Sequence, residues 1–404
     1  MRTNRLQAAT LILITLAGCG AAQPAPAAPT SAPLSQPFTL TPLAKFDTPF
    51  ALAFLPDGTA LVTEKAGRLK HWDGQAITDV AGVPAVTAGG QGGLLDVAVS
   101  PRFATDHLVY LTYAAAAPAG GSSLTLAIGR LDAAASGAMR LNDVHVLWRD
   151  PQGGKGGQYG AVIAFAPDGK SLFLTSGERQ RFTPAQDRNQ PLGKILRFTT
   201  DGAPFPGNPE AGRMGALATT VTDPPANTAA ARTAKGRTFR WKLNPTPAQT
   251  WSTGHRNPYG LAFDADGRLW ETEMGPKGGD ELNLILPGRN YGWPMASNGS
   301  NYDGSDIPDH RPGDGFEAPK LSWNPSISPG GLMIYRGAKW PQWRGDAFIA
   351  TLSGESLIRV HLSGDRATKA DQWPLARIRA VAQSPAGDIY LLEDEGRLVR
   401  LDRP

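Results

Sequence analysis

Residues 50–72 read FALAFLPDGTALVTEKAGRLKHW: an apolar run, a Pro-Asp-Gly corner, and a second run in which apolar and polar residues alternate. An Asp-Gly pair between two such runs is a β-hairpin signal, because glycine accepts the positive φ that a tight reversal needs. The plan returns at 161–178 (AVIAFAPDGKSLFLTSGE), 259–275 (YGLAFDADGRLWETEMG) and 379–401 (RAVAQSPAGDIYLLEDEGRLVRL), and more loosely at 92–114 and 330–362. Six copies of one hairpin, in a chain with 47 glycines, 35 prolines and hardly any amphipathic helical spacing, predict an all-β, six-bladed β-propeller with four-stranded blades. A two-sheet sandwich is the alternative, but it has no reason to repeat the same hairpin six times. The strand from Phe38 is expected to complete the last blade and close the ring, making 38–404 the propeller domain. Residues 213–247 lack the repeat and are expected to form an exposed inserted loop on the ligand face.

Residues 1–18 carry Arg2 and Arg5 before an apolar stretch too short to span a bilayer, the pattern of a secretory signal peptide. The stretch LAGC, Leu16 to Cys19, resembles the lipobox of bacterial lipoproteins. That resemblance implies lipidation at Cys19 and a cell-envelope lipoprotein, on the periplasmic side of the outer membrane or at the cell surface. Residues 19–37, rich in Ala and Pro, then form an extended tether. With a single cysteine the domain has no internal disulfide and depends on its core and any bound group. The formal charge of +4 becomes +2 once Arg2 and Arg5 leave with the signal. This small surplus favours neither nucleic acid nor an anionic membrane surface as partner, so membrane contact is expected through the lipid only.

Four stretches are too specific for generic turns: PLGKILRFTTDGAPFPGNP (191–209), STGHRNPYGLAFD (252–264), EMGPKGGDELNLILPGRNYGWP (273–294) and RIRAV (377–381). Together, and in this order, they resemble the soluble quinoprotein glucose, sorbosone and aldose sugar dehydrogenases, over nearly the whole chain from about residue 42. The resemblance implies the cofactor pyrroloquinoline quinone (PQQ) with a calcium ion, and a small-molecule sugar as substrate. PQQ bears three carboxylates and an ortho-quinone, which call for arginine forks and hydrogen-bond donors. By the resemblance Arg377 and Arg379 grip the cofactor, Gln91 touches it, Arg256 and Asn257 lie by the reactive quinone, and Trp323 forms an aromatic wall. Gly275 and Pro276 hold the calcium through main-chain carbonyls. Plainer readings stand beside these: a solvated strand face for the two arginines, a turn for Gly275 and Pro276, a core residue for Trp323. Asp280 and Glu281 are ligands or supporting groups on one reading and a solvated turn on the other.

Two positions break the family pattern. The histidine expected to accept the sugar hydroxyl proton is here Gln158, and a following arginine is Val162. A glutamine amide hydrogen-bonds but does not titrate usefully, so Gln158 occupies the catalytic position without being a base. Ser353 stands where the family carries a lysine that pairs with the cofactor. Glu178, Asp96 and Tyr159 are the nearest possible substitutes for the base. His255 in the GHRN turn is read as structural, and no other histidine shows convergence. The expected activity is oxidation of an aldose C1 hydroxyl to a lactone by hydride transfer to the quinone, at reduced rate, with electrons passed to a diffusible or membrane acceptor. The alternative is a non-catalytic ligand-binding propeller lipoprotein of the cell envelope. A metal-dependent lactonase on the same fold is disfavoured, because no central acidic ligands appear in the repeats.

Overall fold

The structure is a computed structural model that describes residues 36–117, 120–135, 137–223 and 235–404. Cys19, the signal segment and the tether lie outside the described residues.

The described chain folds as a six-bladed propeller of four-stranded antiparallel sheets. Blade one is Pro49–Phe54, Ala60–Glu64, Arg68–Trp72 and Ile77–Val80; blade two is Leu94–Val99, Leu108–Ala116, Ser122–Ala133 and Met139–Arg149. Blade three is Gly160–Phe165, Ser171–Ser176, Lys194–Thr199 and Thr250–Thr253; blade four is Pro258–Phe263, Leu269–Glu273, Asp280–Ile285 and Leu321–Trp323. Blade five is Pro329–Ile334, Ala347–Thr351, Ser356–Ser363 and Arg366–Pro374. Blade six takes Ile378–Gln383, Ile389–Glu393 and Arg397–Asp402 from the end of the chain and Thr39–Lys45 from its beginning. Thr39 pairs with Asp402 and Lys45 with Arg397, which closes the ring. Phe38 secures this closing strand by setting its ring edge-on to Trp373 at 5.2 Å and to Trp343 at 6.2 Å.

The hairpin corners form as their sequence dictates. Gly58 and Gly267 take φ of +91° and +82°, and Asp57 and Asp264 accept backbone N–H groups across the turns. Within 213–247 the chain adds a two-stranded hairpin, Ala218–Asp223 with Lys235–Arg240. The only α-helical segments among the described residues, Phe103–Asp106 and Thr246–Gln249, are single turns.

A second regularity was not visible in the sequence. Every first strand, the one nearest the axis, slips register at its leading end: between Pro49 and Ala51, Leu94 and Val97, Gly160 and Ile163, Pro258 and Gly260, Pro329 and Gly331, and Ile378 and Ala380. Each bulge would leave an N–H without a ladder partner. In the first three blades a fully buried threonine of the second strand takes that role. The Thr63, Thr112 and Thr175 hydroxyls accept from Ala51, Asp96 and Val162 N–H at 2.9 Å each. The same hydroxyls donate to the next blade, to the Leu95, Ala161 and Pro258 carbonyls at 2.6, 2.7 and 3.1 Å. One side chain thus satisfies a bulge and clips two blades together.

Thr112→Val keeps the shape but orphans two buried backbone groups, so it is expected to destabilise the protein by about 2 kcal/mol or more, and Thr112→Ser by far less. Urea unfolding monitored by tryptophan fluorescence checks this; a Val variant as stable as the parent contradicts the clip.

Candidate active site

The bulges set the site. The residues inside them include Phe50, Asp96, Val162, Tyr259, Gly330 and Arg379, and each borders either a cleft of about 230 Å³ or an axial channel of about 190 Å³. Phe50 and Tyr259, from opposite blades, meet edge-on at 5.8 Å between ring centres and border both spaces. They floor the cleft and roof the channel. Met274 and Leu352 add apolar wall, Gln91, Ser328 and Ser353 add polar groups, and Lys65, Arg377 and Arg379 add three cations.

Arg377 and Arg379 do not form the plain solvated face that strand alternation offers. Both forks close on Asp394, Arg377 onto Oδ2 at 3.0 Å and Arg379 onto Oδ1 at 2.7 Å. Burial pushes the Asp394 carboxyl up, but the two guanidinium groups outweigh it and hold the group below its ordinary range. Asp394 and Lys65 were both missed by sequence reading; each directly follows the second strand of its blade, the same position in the repeat.

Gln158 is buried and takes φ +55°, a conformation that costs a non-glycine residue about 1 kcal/mol or more. Its N–H donates to the Gln91 side-chain oxygen at 2.5 Å. With its amide oriented to suit both neighbours, the nitrogen donates to Glu178 Oε1 and the oxygen accepts from Arg256 Nη2 at 2.7 Å. Glu178 therefore does not face the channel. It lies fully buried behind Gln158, accepts from the Arg181 and Phe182 N–H groups, and is raised by burial, with Arg256 acting against the rise. Tyr159 is equally enclosed: its hydroxyl meets Ser122 Oγ at 2.5 Å, and the Arg179 guanidinium lies 3.9 Å over its ring. Arg179 also donates to the Gly154, Gly156 and Gly157 carbonyls, which pins the glycine-rich loop ahead of Gln158.

Arg256 and Asn257 sit beside the cleft rather than in it. Arg256 is buried, with its guanidinium 5.2 Å from the Trp293 ring centre. Its Nη1 donates to the Met274 and Gly275 carbonyls at 2.9 and 2.7 Å. The Gly275 oxygen expected to hold calcium thus accepts from a guanidinium, which leaves it one lone pair. Asn257 is buried too, and its side-chain oxygen accepts from Gly160 N–H at 3.3 Å.

Three further expectations change. Asp280 and Glu281 are not a solvated turn: both are buried at the start of a strand, where Asp280 accepts from Gly275, Ile327 and Ser328 N–H at 2.7–2.8 Å. Trp323 is not part of the cleft wall; it packs in the core with Trp270 and Ile327 under the Lys369 ammonium. The histidines also converge more than expected. His255 Nδ1 lies 3.1 Å from Glu273 Oε1, and His310, whose side chain is buried, lies 3.9 Å from Glu281. Among the described residues His255, Glu271 and Glu273 bring their donor atoms within 4.8 Å of one another. The Asn283 amide nitrogen fills the centre of these acids, donating to Glu271, Glu281 and Glu273 at 3.1, 3.0 and 3.4 Å. Burial, and then repulsion chiefly from Glu273, raise Glu271 and Glu281 well above the ordinary carboxylate range.

The sequence profile of the family described as Glucose / Sorbosone dehydrogenase matches residues 46–222 and 228–400. The chain belongs to the glucose/sorbosone dehydrogenase family. It is 34% identical over 371 residues to the aldose sugar dehydrogenase YliI of Escherichia coli, covering 88% of this chain and 90% of that protein. The apo crystal structure of the soluble aldose sugar dehydrogenase from Escherichia coli superposes with a TM-score of 0.77 at 32% identity, over 91% of this chain and all of the other. The PQQ-bound aldose sugar dehydrogenase of Streptomyces coelicolor gives a TM-score of 0.66 at 28% identity, over 92% of this chain and 99% of that one.

In this family member the axial channel holds one acid with an altered proton affinity. Asp96 accepts from the Ile163 N–H at 2.7 Å and its own neighbour's at 2.9 Å, and enclosure by the blades pushes its carboxyl up to about 7 from 3.8. The folded state then holds the extra proton, so Asp96 contributes stability below its unfolded value and loses it as pH rises through about 7. The stability of Asp96→Asn relative to the parent is therefore expected to improve from about pH 5 to about pH 8, read as the difference in thermal midpoints. A pH-independent difference contradicts this.

Proposed function

We propose that this family member is a PQQ-dependent dehydrogenase that oxidises the C1 hydroxyl of an aldose to a lactone, working slowly because it lacks its own proton acceptor. The observation that carries the reading is the meeting of Lys65, Arg377 and Arg379 around a cleft floored by Phe50 and Tyr259. A flat, polyanionic aromatic group suits that combination of cations and rings. The PQQ-bound Streptomyces relative supports the same cofactor. When bound, the quinone supplies the hydride acceptor.

The chain's own residues divide the remaining work. Arg377 and Arg379 are the cofactor's carboxylate holders, and Gln91, fixed against Gln158 and Tyr259, contributes a polar contact at the cleft. As hydride leaves the sugar C1 and the carbonyl forms, the hydroxyl proton must go to a base. Gln158 cannot take it, since both ends of its amide are engaged and neither titrates. Calcium is implied by the resemblance alone, and at Gly275 it would share the carbonyl oxygen with Arg256. The same reading extends to an exported chain anchored through Cys19.

Gln158→His places an imidazole where Glu178 can orient it. With added PQQ, an aldose and an electron-accepting dye, the variant is expected to turn over roughly 10²–10⁴-fold faster than the parent, the usual contribution of a general base. A variant that binds the quinone yet is no faster favours the non-catalytic ligand-binding propeller.

A further inference from the structure

Ser353 removes a cation from the cleft wall, where its hydroxyl donates to Ser328 Oγ at 2.7 Å instead. The remaining charge is smaller than the arginine count implies, because Asp394 occupies one face of both forks. Arg377, Arg379 and Asp394 together carry a single positive charge. The other cation bordering the cleft is Lys65, from blade one, which ring closure brings beside blade six.

The Lys65 ammonium donates to the Gly90 carbonyl at 2.7 Å. That bond uses one of three N–H groups and points the head toward the Gln91 loop. Half-buried, Lys65 has its proton affinity lowered by desolvation and then by the Arg379 charge, with Asp394 opposing. An entering anion would relieve that unfavourable field.

We propose that Lys65 is a cofactor-anchoring residue of this chain, donating to a carboxylate of the bound quinone and supplying from blade one the cation that Ser353 does not supply from blade five. This rests on the reading that the cleft holds PQQ.

Equilibrium binding of PQQ to the full folded domain, followed by quenching of tryptophan fluorescence, tests it without requiring turnover. Lys65→Met is expected to weaken binding about tenfold or more, while Lys65→Arg stays near the parent. Ser353→Lys in the Lys65→Met background restores affinity if the two positions serve one ligand charge. Arg379→Met is the reference: it weakens binding if the cleft is the quinone site. Parent affinity in Lys65→Met alongside loss in Arg379→Met overturns the role of Lys65 and leaves the site standing. Equal, negligible binding by the parent and Arg379→Met overturns the site and the proposal together. Thermal melting of each variant separates loss of fold from loss of affinity.

Discussion

The site depends on the bulge at the leading end of each inner strand. A regular ladder would turn alternate residues into the sheet interfaces and leave the axis lined by backbone and small side chains. The extra residue in each strand instead presents Phe50, Tyr259 and Arg379 to the cleft and Asp96 and Val162 to the channel beneath it. Such irregularity needs the freed backbone groups to find partners, and in the first three blades Thr63, Thr112 and Thr175 provide them while tying each of these blades to the one that follows. In that half of the ring the joining of the blades and the shape of the site thus have one origin.

On this frame blades three and four meet in a tightly bonded network. Glu178 N–H donates to the Arg256 carbonyl at 2.9 Å, and Glu178 and Arg256 grip opposite ends of the Gln158 amide. A buried carboxylate behind a neutral amide is a good positioning device and a poor proton acceptor, since the proton would have to pass a group that does not titrate. The local backbone is strained at Gln158, Ala161, Arg179, Gln180 and Phe182, all at positive φ, so the network is held in place by its surroundings.

The fold was largely legible in the sequence because its signal is local. Each Asp-Gly corner sits a few residues from the strands it joins, and closure by the segment after Phe38 follows from a last repeat left one strand short. Of the residues singled out in the sequence, Gln91, Arg377 and Arg379 border the cleft, while Gln158, Arg256 and Asn257 lie buried beside it; all but Arg379 lie just ahead of a first strand, a position the local repeat reveals. The missed parts depend on distance along the chain. Lys65 borders the cleft and Asp394 holds two arginines that border it, although most of the sequence lies between them, so no spacing connects them. Asp280 and Glu281 read as a solvated turn because adjacent acids usually are; loops distant in sequence give Asp280 backbone donors at Ile327 and Ser328, beside Gly275, and their own strand gives Glu281 the Asn283 amide. Trp323 kept its aromatic identity and lost its assigned place, because an edge strand of blade four faces the core.

The central claim is that the cleft over Phe50 and Tyr259 holds PQQ. A crystal structure of the protein grown with saturating PQQ tests it most directly. The quinone is expected within this cleft, with its carboxylates against Arg377 and Arg379. An intact propeller with that cleft empty, or with the quinone bound elsewhere, would contradict it.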